Sequence, residues 1–193
     1  MNDWAKLDRP RDPRAVYQDG VAEVLTAAGF APQAVVALLE FDASMFGMMR
    51  SMVKGELPAQ LMAELGTGLE LAQFQALTAI LRITYGIGRP EPQEVTIGLV
   101  AAELNLDPSR ASRSVADLIA AGHVRRDVSQ DDGRRSVLHL TAKAHDLLTA
   151  FRELKWRKAA GVFAGWEEGE IVQFSRLFTR YNEAMRRTYP RRE

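Results

Sequence analysis

The sequence predicts a mainly α-helical fold with one small β-hairpin, and three observations predict it. Apolar residues recur at steps of three or four over most of the 193 residues, the spacing of one helix face. One stretch, 124–140, instead places β-branched and apolar residues on both sides of the turn-rich segment SQDDGRR, the pattern of a hairpin. Helix starts and stops are also written plainly, with Thr96, then Asp107-Pro108, then Gly122, residues suited to N-caps, first turns and left-handed ends.

Taken in order, residues 1–31 read as an N-terminal helical extension. Within it Pro13 to Ala28 sets Tyr17, Val21, Val24, Leu25 and Ala28 on one face and stops at Gly29. A second helix follows Pro32 and stops near Gly55, and a short turn-rich stretch comes next. From Leu69 to Thr84 the helical pattern returns with Leu71, Phe74, Leu77 and Leu81, and GIGRPEPQ breaks it. Thr96 caps a short helix through Leu104, and Asn105-Leu106 turn the chain into Asp107. The next helix carries Ala111, Val115, Leu118 and Ile119 as one apolar stripe. Strands at Val124 to Val128 and Ser136 to Leu140 follow. Two long helices, Ala142 to Phe163 and Glu167 to Thr188, separated by Gly165-Trp166, precede a basic tail at 190–193.

The two helices around Asn105-Leu106 have helix-turn-helix spacing. At about 100° per residue, Ser109, Arg113 and Ala116 point away from the apolar stripe, with Arg110, Ser112 and Asp117 on its flanks. Such a face either reads a major groove, where arginine forks suit guanine edges or phosphates, or is simply solvated, as on any amphipathic helix. The hairpin adds Arg134 and Arg135 at or beside its tip, where guanidinium groups suit the negative potential of a narrow minor groove. Asp131 and Asp132 position them or offset their charge.

The run from Thr96 to Thr141, carried by DPSRASRSVADLIAAGHVRR, DDGR and LT, resembles the winged helix-turn-helix of the MarR family of bacterial transcriptional regulators. The likeness extends more loosely from about Pro32 to Tyr189. It implies a winged helix-turn-helix over about 69–141, flanked by dimerisation helices at about 32–55 and 142–189. It also implies DNA contacts from Ser109, Arg110, Ser112 and Arg113, and from Arg134 in the minor groove. The chain departs from the family pattern at Gly133, where another arginine is common, and at Ala144, where glycine often follows Leu-Thr.

Two long helices attached to a small winged domain need a further surface for Leu147, Leu148, Phe151, Leu154, Phe174, Leu177, Phe178 and Tyr181. A second copy would supply it in a two-fold homodimer. Two recognition helices so related would meet half-sites of a pseudo-palindromic double-stranded operator about one helical turn apart. A ligand that prefers one separation of those helices over another would then control binding. Met45, Met48, Met49 and Met52, with Phe46 between them, recur at helical spacing. They suit either an adaptable pocket for a small apolar or aromatic effector or ordinary core and interface packing.

Other classes find less support. The 25 basic and 25 acidic side chains balance, yet residues 109–126 hold four arginines against Asp117, a local positive patch. No apolar run approaches the ~20 residues of a membrane span, and residue 1 onwards shows no secretory signal, so a cytoplasmic location is expected. The absence of cysteine excludes disulfides and thiol redox sensing. His123, His139 and His145 show no metal-site spacing, and no catalytic or cofactor motif is legible, so no enzymatic role, metal or cofactor is expected. The leading expectation is a ligand-responsive DNA-binding regulator. A winged-helix module that binds another protein, and a catalytic or ligand-binding protein using the fold as a scaffold, are the alternatives.

Overall fold

The computed structural model describes residues 18–129 and 133–190. Asp131, Asp132, Arg191, Arg192 and the part of the expected first helix before residue 18 lie outside the described residues. The chain divides into two compact units, 1–60 and 61–193.

In the first unit, α1 (Val21–Ala27) packs on the much longer α2 (Pro32–Val53). Pro32 opens α2, where a missing N–H costs nothing. Gln18 donates its side-chain amide to the Leu39 carbonyl at 3.0 Å. Val35 is buried, whereas Val36, Phe46, Met49 and Val53 stand exposed. The segment after Gly55, read from the sequence as turn-rich, is a helix, α3 (Glu56–Leu65). Pro58 lies within its first turn, the part of a helix that tolerates proline.

The second unit is organised around α4 (Leu71–Tyr85), which buries Phe74, Ala76, Leu77, Ala79, Ile80 and Ile83. Glu70 and Gln73 exchange side-chain bonds with backbone N–H groups at its start, satisfying two donors that a helix end leaves open. Packed on it are α5 (Ile97–Leu104), α6 (Pro108–Ala120) and strand β2 (Ser136–Leu140), while strand β1 (Val124–Val128) packs on α6 and α7 (Ala142–Val162) on β2. The shared core includes Val100, Ala111, Val115, Leu118, Val124, Leu138, Ala144 and Leu148. Phe151 of α7 sits on Phe74 with ring centroids 4.4 Å apart. The fold class is thus the one the sequence predicts, mainly α with a two-stranded antiparallel wing.

Between α4 and α5 the chain doubles back tightly. Gly86 ends α4 at φ 66°, and a Cβ there would lie 2.9 Å from the Pro92 nitrogen, so position 86 requires glycine twice over. Arg82 and Arg89 close this turn on Glu103 of α5, at 2.9 and 2.7 Å. Partial burial would raise the Glu103 carboxyl, but the bonds from Arg82 and Arg89 outweigh it and hold the group below the usual carboxylate range.

The last helix, α8 (Glu168–Thr188), has no buried residue. Phe174, Leu177, Phe178 and Met185 lie exposed along it. At its junction with α7, Trp166 packs edge-on to Phe163 and Phe174, at 5.3 and 5.5 Å between centroids. Trp156, by contrast, is exposed beside Lys155.

Candidate nucleic-acid interface

Helix α6 begins at Asp107, whose carboxylate accepts the Arg110 N–H at 3.0 Å, with Pro108 at the first position. Its entry is set by Asn105, the one described non-glycine residue with positive φ, 52°. Leu106 returns its N–H to the Ala101 carbonyl at 2.9 Å, closing the end of α5 in a left-handed cap that asparagine tolerates. Ala111, Val115 and Leu118 are fully buried, which fixes the rotation of α6 about its own axis. Ile119, expected in the same stripe, is half-buried at its edge.

The opposite face presents Ser109, Arg110, Arg113 and Ala116 to solvent, with Ser112 half-buried beside them. Arg110 stays within 3.8 Å of Asp107. Arg113 has no ion-pair partner among the described residues. Asp117 lies on the flank, 3.4 Å from the Gln73 amide of α4. A groove of about 430 Å³ runs there between the two helices, lined by Gln73, Arg110, Arg113 and Asp117.

The other end of α6 is closed from α7. Thr141 donates its hydroxyl to the Gly122 carbonyl at 2.8 Å, and Lys143 donates to the Ala121 carbonyl at 2.8 Å. His123, between them, is 5% exposed and its Nδ1 has no partner. Burial, followed by the charge of Lys143, lowers its pKa from the ordinary histidine value.

The hairpin pairs Val124 with Leu140 through Val128 with Ser136. After Val124 every residue of β1 is exposed. Arg125 bonds Asp127, and that bond, with the Val128 N–H, holds the Asp127 carboxyl below its usual range. Asp127 lies one residue beyond the stretch counted as positive in the sequence, so the patch is less basic than that count implied. Arg134 and Arg135 are exposed beyond the strand ends, on the same hairpin. A Cβ on Gly133 would meet nothing within 4 Å, so the departure from the family pattern there is not imposed by space.

Two residues absent from the sequence reading complete the geometry. Val95 bridges to Leu138, adding a one-residue third strand, and Glu94 accepts the Ser129 hydroxyl at 2.6 Å. No periodicity announces either, because the partners lie far apart in sequence. Of the methionines proposed for a ligand, Met45 is half-buried and Met48, Met49 and Met52 are exposed along α2. Among the described residues no group of three His, Asp or Glu side chains could hold a metal ion. No described helix is long and apolar enough to cross a membrane.

Residues 67–135 match the family model described as MarR family. No curated protein is a significant sequence match. Several solved structures share the fold. A MarR family protein from Bacillus stearothermophilus is 20% identical at TM-score 0.58, with 76% of this chain and 96% of that chain covered. RV1404 from Mycobacterium tuberculosis is 19% identical at TM-score 0.58, with 75% and 92% covered. A mutant of MepR from S. aureus, bound to an oligodeoxyribonucleotide, is 18% identical at TM-score 0.52, with 74% and 97% covered. The resemblance read from Thr96 to Thr141 therefore holds over the winged helix.

Proposed function

We propose that this chain, with its MarR-type winged helix, is a sequence-specific double-stranded DNA-binding transcriptional regulator acting as a homodimer on a pseudo-palindromic operator. The observation that carries the reading is the exposed face of α6. Arg113 stands there without an ion-pair partner among the described residues, on a helix whose other side is locked into the core. Unpaired guanidinium groups on a rigid, exposed helix suit phosphates and guanine edges. Ser109, Arg110 and Ser112 flank it, and Arg134 and Arg135 on the wing are exposed as well. A structural neighbour, the MepR mutant, was solved on an oligodeoxyribonucleotide, which supports the same use of the fold.

The homodimer rests on α8. A 21-residue amphipathic helix with no buried residue and a row of exposed phenylalanine and leucine side chains leaves apolar surface that a second copy would cover. We further propose a repressor released by a small apolar or aromatic effector. Met48, Met49 and Met52 offer adaptable thioether surface for it on α2, and MepR has been solved with ethidium bromide.

The test is selection from fragmented genomic DNA with the purified protein. The selected fragment is then titrated at several salt concentrations beside an Arg113→Ala/Arg134→Ala variant. A pseudo-palindromic sequence, steep salt dependence and loss of affinity in the variant are expected. Absence of any enriched sequence, with no response to the two arginines, would move the reading to a protein-binding winged helix.

A further inference from the structure

We infer that Glu94 is a positioning residue for the wing, setting where Arg134 and Arg135 meet DNA; this rests on the DNA-binding reading above. Glu94 sits between two anchored neighbours. Gln93 donates its N–H to the Ile83 carbonyl of α4 at 3.1 Å, and the Val95 carbonyl accepts the Leu138 N–H of β2 at 2.9 Å. The backbone beneath Glu94 is therefore fixed to the core on one side and to the sheet on the other. From that fixed point its carboxylate accepts the Ser129 hydroxyl at 2.6 Å, a charge-assisted bond of the stronger kind. Ser129 is 5% exposed and is the residue at which β1 gives way to the loop. Its own N–H donates to the Arg135 carbonyl at 2.9 Å.

The chain of contacts thus runs from the core through Glu94 to Ser129, and across the loop to Arg135, next to Arg134. A two-stranded hairpin is marginal by itself in water, and beyond the Val128–Ser136 pair the bond from the Ser129 N–H to the Arg135 carbonyl joins the described strand ends. The placement of the strand ends that carry Arg134 and Arg135 is therefore reinforced by a bond from outside the hairpin, Glu94 to Ser129. Glu94 touches no DNA in this scheme; it acts through Ser129. Its role separates from that of a general negative charge near the interface, which would weaken binding to every sequence alike.

The experiment compares Glu94→Ala, Glu94→Gln and Ser129→Ala in the full chain, with melting curves as a check of folding. The readout is the ratio of affinities for the selected operator with A·T-rich and with G·C-rich flanks, beside the ratio for a substitution inside a half-site. Glutamine keeps an oxygen that accepts the serine hydroxyl. Glu94→Ala and Ser129→Ala are expected to reduce flank discrimination by roughly five- to tenfold, the scale of one lost base-pair preference. Half-site discrimination stays, Glu94→Gln retains most of both, and adding Arg134→Ala to Glu94→Ala lowers flank discrimination no further. Unchanged flank discrimination in Glu94→Ala and Ser129→Ala overturns the inference, as do identical effects of alanine and glutamine at 94. Loss of folding in both alanine variants overturns it as well, since the bond would then belong to the core. A wild-type protein that selects an operator but ignores its flanks sinks the wing assignment alone; one that selects nothing sinks the DNA reading itself.

Discussion

Lys143, in the first turn of α7, reaches back 2.8 Å to the carbonyl of Ala121, the residue that ends α6. A cation on the last carbonyls of a helix opposes the negative end of its dipole. Together with the Thr141 hydroxyl on Gly122, it joins the end of α6 to the start of α7.

Lys143→Met should therefore cost about 0.3–1 kcal/mol of stability, the range for an exposed helix-end charge. Urea unfolding measures it. An unchanged midpoint would mean that Thr141 alone holds the junction.

His123 gives the junction a pH dependence. Its folded pKa lies below the unfolded value of about 6.5. Below that value the unfolded chain binds a proton that the folded chain resists. Stability from this group is therefore complete above about pH 7 and declines as pH falls through the folded pKa, by at most about 1.4 kcal/mol per pH unit. Replacing His123 by leucine should flatten the difference between unfolding curves at pH 7.5 and 5.5. Removing the Lys143 charge should shrink that difference, because Lys143 is the second cause of the shift.

Arg113→Ala should lower operator affinity by about 1–3 kcal/mol if its contact is bidentate to a base, and relax the choice at that base pair. Arg134→Ala should act mainly on A·T-rich flanks, where the narrow minor groove attracts arginine. Competition binding against single-position operator variants separates the two effects.

Gly133→Arg should strengthen binding, since the position is open and holds no strained φ. One added phosphate contact would steepen the plot of log affinity against log salt by about 0.9. A slope equal to the wild type would show that the tip stays clear of the backbone.

At Asn105 the left-handed φ predicts that glycine is tolerated and that alanine costs about 1 kcal/mol, with valine worse. Thermal melts of the three variants would order them. Alanine melting with the wild type would show that the turn before α6 relaxes.

The sequence was most legible where structure is made locally. Thr96 and Asp107 accept the N–H groups of Leu99 and Arg110 as helix caps, and both strands run between the residues that periodicity marked. Helix α3 was hidden because Gly55, Pro58 and Gly66 together imitate a turn, although only Pro58 lies inside the helix and it falls in the first turn. Of the candidate interface, composition exposed the arginines and helical geometry the face they share. Asp127 stands only two residues from the Arg125 it pairs with, but the Glu94 bond to Ser129 and the Gln73 bond to Asp117 depend on tertiary approach. Separations such as the 35 residues between Glu94 and Ser129 leave no repeating signal in the chain.

Helix α7 spans 21 residues, a rod of about 31 Å at 1.5 Å per residue. Its first turns are embedded with α6 in one core through Ala144 and Leu148, so α6 is carried at one end of the rod. A swing of about 6° about its far end would carry that helix sideways by about 3 Å, close to the rise of one base pair, about 3.4 Å. On the proposed DNA-binding reading, a tilt of that size about the far end of the rod would displace α6 by about one base step.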